Sequence, residues 1–441
     1  MRRNENLNYT GHEDYIIMKE LSIHLRPWKI ENAPNLAAAI NNKKVPDNLR
    51  DGIPFPYTEK DAAEFINATL AAEKDSQYSF AILFDGQVIG SIGVFRKENV
   101  HRLTAEMGYY INELYWGKGI MTEAVKQMCA YVFANTDIVR IFAEPYAHND
   151  ASCRVLEKAG FSFEGMLRQN AIKNGLSVDM KMYSLLRTDA KLAKALTAET
   201  TELIPFLSYL LQDLWELGSN PRDIITLIKR HISLSQDTKF LDLACGKGAV
   251  SVNITKELGV TVHGFDLLPD FIGYAKQKAA EWGVADLCRF AVADANEIVN
   301  AEKEYDGVIF GAVGDVLGNP KETLQKLYQT IKPGGYIIMD ATYLYNDKNV
   351  DSLAWEYEYL HRADWFRLFE ELKIRLIEEL PDEEGHDFEG EMRVITARAN
   401  ELIAKYPEKR ALFEGYLKTQ QCEVDDLENA LSEGTWILQR I

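Results

Sequence analysis

Apolar and polar positions follow two rhythms along this chain, and the change falls near its middle. Residues 78–96, YSFAILFDGQVIGSIGVFR, place two apolar runs on either side of a DGQ turn, which predicts a β-hairpin. LTAEMGYYIN (103–112) predicts another strand, with a helix expected from about Thr122 to Ala134 and a short strand at VRIFAEP (139–145). A helix at about 150–159 ends at Gly160, a residue suited to a C-cap, and KMYSLLR (181–187) closes this half as a strand. TDAKLAKALTAET (188–200) has no strand pattern; it reads as the boundary or as the start of the next helix. From Thr201 a helix comes first, and then strands alternate with helices. The strands are KFLDLAC (239–245), VTVHGFD (260–266), CRFAVAD (288–294), YDGVIFG (305–311) and GYIIMDA (335–341); the helices are expected at 248–258, 269–282 and 320–331. That alternation implies a parallel sheet covered on both faces. Residues 351–433 are charged and mostly helical in pattern, and TWILQRI offers a final strand.

The chain has 441 residues, 46% of them hydrophobic, which exceeds one ordinary core and predicts two or three domains. The expected division is 1–190, a linker at 191–200, and 201–441 with a helical insertion at about 350–433. Net charge is −18 and unevenly spread: residues 1–190 carry 22 Lys/Arg against 24 Asp/Glu, the remainder 27 against 43. An acidic second half repels a phosphate backbone, which argues against nucleic acid as a partner. Five scattered cysteines form no CxxC, so neither a disulfide framework nor a zinc knuckle is indicated, and the histidines form no HExxH. No metal is expected. The opening MRRNENLNYT lacks an apolar export core, and no run of 18 apolar residues could span a membrane. The expected setting is cytoplasmic, without a membrane partner; the oligomeric state is not legible.

Two glycine-bearing turns carry the candidate chemistry. YWGKGIMTEA (115–124) is not a GxxxxGK[ST] phosphate loop, but its physics is related. Gly117 and Gly119 permit backbone shapes that a Cβ hinders, and the helix behind them offers unpaired N–H groups and a positive dipole end. Together they suit a pyrophosphate; the alternative is a helix entry that binds nothing. Together with NLRDGIPFPYTEKDA (48–62), AEMGYYI (105–111) and NDASCRVLEKAGF (149–161), the turn resembles GCN5-related N-acetyltransferases (GNAT) of the RimJ/RimL type, over roughly residues 20–187. The resemblance implies a mixed-sheet acyl-CoA N-acyltransferase fold and acetyl-coenzyme A as donor. Trp116 fills the first position of the family's loop pattern and Met121 the last, where that pattern has Gly or Ala. Backbone amides of Gly117, Lys118, Gly119, Ile120 and Met121 would cradle the pyrophosphate, and Asn149 would contact the pantetheine arm. Glu106 matches the family's general-base position and shares a strand face with Gly108 and Tyr110; the alternative is a glutamate facing water. Ser152 matches the residue that protonates the leaving thiolate, or else caps its helix. His148 reads as an ordinary loop residue.

The second turn, LDLACGKGAV (241–250), differs from the dinucleotide pattern GxGxxG, since Ser251 stands at the third glycine position. With its strand ending in Asp242, it resembles motif I of class I S-adenosylmethionine-dependent methyltransferases. The resemblance covers about residues 203–345 and implies a doubly wound Rossmann-like α/β fold with S-adenosyl-L-methionine as cofactor. Its contacts would be Asp242, Ala244, Gly246 and Gly248 in the turn. Asp266 ends the second strand, 24 residues on, where a carboxylate accepts bonds from ribose hydroxyls, with Leu267 beside it. Asp294 and Ala295 would meet the adenine, and Gly311 ends the fourth strand. GAVGDVLG (311–318) is not the [DN]PPY of many amide and adenine-amine methyltransferases, which argues against those acceptors. Asp315 either orients an acceptor or caps a helix. Tyr209, Trp215, Trp355, Tyr357 and Tyr359 read as core rather than as a pocket wall.

The resulting expectation is a bifunctional transferase, an N-acetyltransferase followed by a methyltransferase, acting on a small molecule or a protein amine. One rival makes the first half a non-catalytic module that binds acetyl-coenzyme A or a partner, an idea motivated by Met121. A second makes the latter half an NAD-linked dehydrogenase, which Asp242 and Ser251 disfavour.

Overall fold

The computed structural model describes residues 23–73, 75–198, 200–344, 359–381 and 387–441. Trp355 and Tyr357 lie outside the described residues. The chain divides into two compact units, Met1–Ala190 with Thr200–Glu202, and Lys191–Glu199 with Leu203–Ile441.

The first unit is a seven-stranded sheet. Its strands are β1 (Ile23–Pro27), β2 (Gln77–Phe84), β3 (Gln87–Arg96), β4 (Thr104–Ile111), β5 (Arg140–Ala143), β6 (Ser162–Lys173) and β7 (Leu176–Leu186), in the order β1-β2-β3-β4-β5-β7-β6. The hairpin at 78–96 turns through Asp85 and Gly86, both with positive φ. Every pairing is antiparallel except β4 with β5, and that one spans only Thr104–Glu106 against Arg140–Phe142. Beyond Glu106 the two strands have no registered pairs, and the sheet opens there. The helix Ile120–Asn135 covers one face. Its Ile120, Ala124, Val125, Met128 and Val132 recur at helical spacing and pack on Ile92, Val94, Ala105 and Met107. Each larger side chain so buried contributes about 2 kcal/mol. The other face is covered by the helices Ala33–Ile40 and Glu59–Leu70, through Leu36, Ile40 and Ile66.

The second unit is also seven-stranded: β8 (Lys239–Leu243), β9 (Thr261–Asp266), β10 (Cys288–Val292), β11 (Tyr305–Phe310), β12 (Ile331–Leu344), β13 (Ile374–Pro381) and β14 (Leu431–Arg440). The order is β10-β9-β8-β11-β12-β14-β13. β8 to β12 pair in parallel, whereas β14 runs antiparallel between β12 and β13. The helices Pro221–His231 and Ala249–Leu258 bury Ile224, Ile228, Val250 and Ile254 on one face. Pro320–Thr330 and Arg362–Leu372 bury Leu324, Leu327, Trp365 and Phe369 on the other. Chain order reverses between β8 and β11, which puts a crevice at the carboxyl ends of these strands.

Four differences from the sequence reading have physical causes. Strand β6 was not expected; most of its residues are exposed, so it lacks the apolar alternation that marks a strand. Residues 187–195 form a short helix of their own that ends before the next one at Ile204–Leu210, and Ala193 and Ala198 are buried in the second unit. β13 interrupts the stretch 350–433 expected to be helical; its Glu378 and Glu379 ride among apolar residues because cations meet them. Asp315 does not cap the helix Pro320–Thr330, because Asn319 does so in a capping box with Glu322, while Asp315 pairs with Lys194 at 2.6 Å. Among the described residues no helix is long and apolar enough to cross a membrane.

Candidate active sites

The parting of β4 from β5 creates a cleft of about 1230 Å³ in the first unit. The turn 116–119 forms one end. Trp116 is fixed by its indole N–H, which donates to the Ile111 carbonyl (3.1 Å). Gly117 (φ 74°) and Gly119 (φ 77°) adopt left-handed backbone, and no atom stands within 4 Å of where a Cβ would project. The helix starts at Ile120 with Gly119 as N-cap, and no side chain caps it. Its first-turn N–H groups are therefore left to solvent or a ligand, at the positive end of the helix dipole. Lys118 holds its ammonium 5.5 Å from the centre of the Tyr115 ring. Met121 is only 8% exposed and packs into the core beside Ile120. The same residue also lines the cleft, so the bulk at this last loop position borders both the core and the cavity.

Glu106 does not face water; its side chain is 14% exposed and doubly ion-paired. Oε2 accepts from Lys97 Nζ at 2.6 Å, and Oε1 pairs with Arg50 Nη2. The same Arg50 nitrogen reaches Glu144 Oε2 at 3.2 Å, so one guanidinium bridges the two strands where they part. Ser152 sits in the first turn of the helix Asp150–Lys158, but the cap is Asn149, whose Oδ1 accepts from the Ser152 N–H (3.1 Å). Ser152 Oγ is 2.8 Å from the hydroxyl of Tyr109. Burial pushes the Tyr109 phenol well above its ordinary range, so it stays protonated and able to donate. His148 stacks on Tyr146 at 5.6 Å. Glu106, Ser152, Asn149 and residues 116–121 all line the same cleft. The sequence reading missed Arg50, Lys97, Tyr109 and Glu144. Only Tyr109 had a local signal: by strand alternation it points opposite to Glu106, toward the helix that carries Ser152.

In the second unit the turn after β8 is held by carboxylates. Asp266, at the tip of β9, accepts from the Gly246 N–H with Oδ2 and from the Leu268 N–H with Oδ1, both at 2.9 Å, and the Leu267 amide also favours its ionised form. Burial nonetheless raises its pKa above the ordinary range. Ala244 takes a left-handed φ of 53°. Gly248 (φ 73°) begins the helix Ala249–Leu258, and a Cβ there would stand 2.7 Å from Ala275 Cβ and 2.9 Å from Phe290 Cζ. Asp242 is 4% exposed, and its Oδ2 accepts from Ser251 Oγ at 2.5 Å. Burial, with the charge of Asp266 adding to it, pushes Asp242 up to about 7. Ser251, which breaks the dinucleotide pattern, is thus the hydroxyl that satisfies Asp242.

The remaining expected contacts ring the strand tips. Asp294 caps the helix Ala295–Ala301, accepting from the Asn296 N–H at 2.8 Å. Gly311 follows β11 directly beneath a 2.5 Å hydrogen bond from Ser219 to Asp340, where a Cβ would collide with both oxygens. Residues ahead of β8 lie over the turn. Leu217 approaches the Cβ position of Gly246 at 3.2 Å, and Trp215 donates to the Lys247 carbonyl at 3.1 Å. Lys247 is 3% exposed; its ammonium donates to the carbonyls of Leu211 and Leu214 (2.6 Å to Leu214). Burial lowers its pKa to about 8. Trp215 also stacks edge-on with Trp282, and Tyr209 bonds Glu401, so both have structural partners. Among the described residues no group of His, Cys, Asp or Glu is arranged to hold a metal ion.

Comparison with known proteins gives a separate match within each unit. Residues 22–162 match the family model described as an acetyltransferase (GNAT) domain, and residues 234–374 match one described as a methyltransferase domain. The "Uncharacterized N-acetyltransferase p20" of Bacillus licheniformis is 30% identical over 169 residues, 37% of this chain and 93% of p20. The "Probable N-acetyltransferase YjcK" of Bacillus subtilis is 40% identical over 119 residues, 26% of this chain; the chain spans 66% of the length of YjcK. Among solved structures, a SAM-dependent methyltransferase from Thiobacillus denitrificans in complex with S-adenosyl-L-homocysteine is 19% identical, with a TM-score of 0.46. It covers 54% of this chain and 98% of its own.

Proposed function

The chain belongs to the GNAT N-acetyltransferase family through its first unit and carries a methyltransferase domain in its second, and from that premise we propose that it is a bifunctional transferase, acetylating an amine from acetyl-coenzyme A and methylating an acceptor from S-adenosyl-L-methionine. The observation that carries the reading is the first unit's cleft. It joins an uncapped helix N-terminus behind two left-handed glycines to a buried carboxylate and a hydroxyl pair. The space at the missing Cβ positions of Gly117 and Gly119 and the free first-turn amides fit a pyrophosphate.

Acetyl-coenzyme A supplies an acetyl thioester that an amine can attack once the amine is neutral. Residues 117–121 offer amides to the pyrophosphate, and Asn149, its Oδ1 engaged in capping, offers Nδ2 to the pantetheine arm. Glu106 takes a proton from the acceptor amine, exchanging an ion pair for it. Ser152, hydrogen-bonded to the protonated phenol of Tyr109, delivers a proton to the departing sulfur. S-adenosyl-L-methionine supplies an electrophilic methyl group on sulfonium, so the second unit must mainly orient the acceptor in line. Gly246 would meet the cofactor's methionine end, Asp266 the ribose and Asp294 the adenine amine, while Gly248 lets its helix pack on Ala275 and Phe290.

The dehydrogenase rival loses support on two counts. Ser251 is committed to Asp242, and the antiparallel β14 stands inside the sheet, between β12 and β13, which departs from the mostly parallel order of dinucleotide folds. The test is calorimetry of the full-length protein with coenzyme A and with S-adenosyl-L-homocysteine. Saturable binding of both is expected, with Asp266→Ala losing only the second. Wild-type-like affinity of Asp266→Ala for S-adenosyl-L-homocysteine would remove Asp266 from the site, and silence with both ligands would overturn the whole reading.

A further inference from the structure

Two glycines inside the first unit's sheet have no backbone reason to be there. Gly93 on β3 and Gly108 on β4 stand opposite each other where the register is unbroken, and neither takes a left-handed φ. A glycine inside a strand weakens it and marks a close approach from above. At Gly93 the approach is made by Phe95, whose ring would stand 3.0 Å from a Cβ. At Gly108 the chain itself makes none. The nearest atom to a Cβ there belongs to the same ring, at an ordinary 3.9 Å, and the residue is exposed on the cleft wall. The register turns the pair into a slot. On the face that carries Glu106, Phe95 stands opposite Glu106 and Ser91 opposite Tyr110, and the row between them is Ser79, Gly93 and Gly108. Successive rows lie about 7 Å apart, so this middle row is a trench between two rows of larger side chains. The cleft follows it inward as far as Ser79, two strands from Glu106. Trp28 closes that end, donating to Ser79 Oγ (3.2 Å) and meeting the ring of Phe65, another lining residue, edge-on. The phenol of Tyr110 is hydrogen-bonded to Ser91. Across the three rows only Glu106 is charged.

We propose that the acetyl acceptor is an amine carried by a flat, uncharged aromatic ring, with the nitrogen at Glu106 and the ring in the Gly93–Gly108 slot against Phe95. The proposal rests on the acetyltransferase reading above. The places given there to the donor are residues 117–121, Asn149 and Ser152, and Ser152 meets Tyr109 on the opposite face of β4, so the slot is left to the acceptor. Its floor is bare backbone, which a planar face can approach closely, and Phe95, 42% exposed, offers its ring for an offset or edge contact. A second charge on the acceptor would lose its water among Phe65, Phe95 and Tyr110 and find no partner there. Glu106 and Gly108 are two residues apart, about 7 Å, which a two-carbon linker and a ring span. On transfer, the amine nitrogen forms the new bond to the acetyl carbon, the carbon–sulfur bond of the donor breaks, the amine's proton goes to Glu106, and the sulfur is reprotonated from Ser152.

The experiment uses the full-length protein and acetyl-coenzyme A, with thiol release as the assay and coenzyme A binding measured separately by calorimetry. The amines are 2-phenylethylamine, 2-cyclohexylethylamine, ethylamine and spermidine, each rate being referred to the neutral amine. In kcat/KM, 2-phenylethylamine is expected to exceed ethylamine by about 10- to 100-fold, the value of burying a ring of that size. It should exceed the thicker 2-cyclohexylethylamine by about 2- to 10-fold, and spermidine should gain nothing over ethylamine. Gly108→Val fills the slot without a clash and should bring 2-phenylethylamine within about threefold of ethylamine, through KM. Phe95→Leu leaves the glycine floor untouched and should bring the two ring amines within about twofold of each other. A protein that binds coenzyme A but acetylates 2-phenylethylamine no faster than ethylamine or 2-cyclohexylethylamine overturns the proposal and leaves the acetyltransferase reading intact. So does a preference that survives Gly108→Val. Failure to bind coenzyme A overturns that reading, and this proposal with it.

Discussion

Asp242 is the group whose replacement tests the second unit most directly. Its carboxyl is buried, and the pKa of about 7 in the folded protein compares with an ordinary 3.8. The native state therefore holds a proton between those values that the unfolded chain has released. Stability from this group is complete below about pH 3.8 and is lost as pH rises to about 7, at about 1.4 kcal/mol per pH unit. Between pH 5 and 7 the loss is about 2 kcal/mol, because the group is half ionised at pH 7, and above about pH 8 it levels off. Asp242→Asn keeps the size and an oxygen for Ser251 but cannot ionise. Urea unfolding at half-unit intervals from pH 5 to 8, followed by the fluorescence of Trp215 and Trp282, 5.2 Å apart in this unit, gives the two curves. The difference between variant and wild type should grow in the variant's favour by about 2 kcal/mol from pH 5 to 7. Parallel curves would mean that Asp242 is ionised throughout and that the account of its burial is wrong.

Glu106→Gln should lower the acetylation rate by about 10²-fold or more, since a carboxamide accepts no proton; an unchanged rate excludes Glu106 as the base. Gly248→Ala puts a methyl group against Ala275 and Phe290 on left-handed backbone, so a loss of about 2–4 kcal/mol is expected in urea unfolding. Lys247→Met removes the donor to the Leu211 and Leu214 carbonyls. That should cost about 1–3 kcal/mol and open residues 203–217 to limited proteolysis; wild-type resistance would show that the ammonium does not hold that segment down.

What was legible in the sequence follows from which forces are local. The parallel strands of the second unit are buried on both faces, so their runs of Val, Ile, Leu and Phe announce them in order. The two glycine turns are equally plain, because a left-handed backbone needs specific residues. β6 was not legible, since an exposed strand has no reason to alternate, and β13 was hidden by glutamates whose partners, Arg230, His231 and Arg362, come from elsewhere in the chain. At the sites the same boundary applies. Glu106 and Ser152 could be proposed from motif position, but not the cations around Glu106, because Arg50 reaches it only through the folded loop. Ser251 was read as a missing glycine, and only its 2.5 Å bond to Asp242 reveals what a hydroxyl gains there.

The placement of β14 bears on how the second unit comes into being on the ribosome. β13 has no partner among the described strands except β14, and the exposed side of β12 is closed by β14 as well. β13 must therefore wait, edge bare, through the translation of about fifty further residues, and β12 through about ninety, before the insertion that zips them together. A nascent chain halted before residue 431 offers two open ladders flanked by Trp365 and Phe369, and such stalled fragments should depend on chaperones far more than the finished protein does.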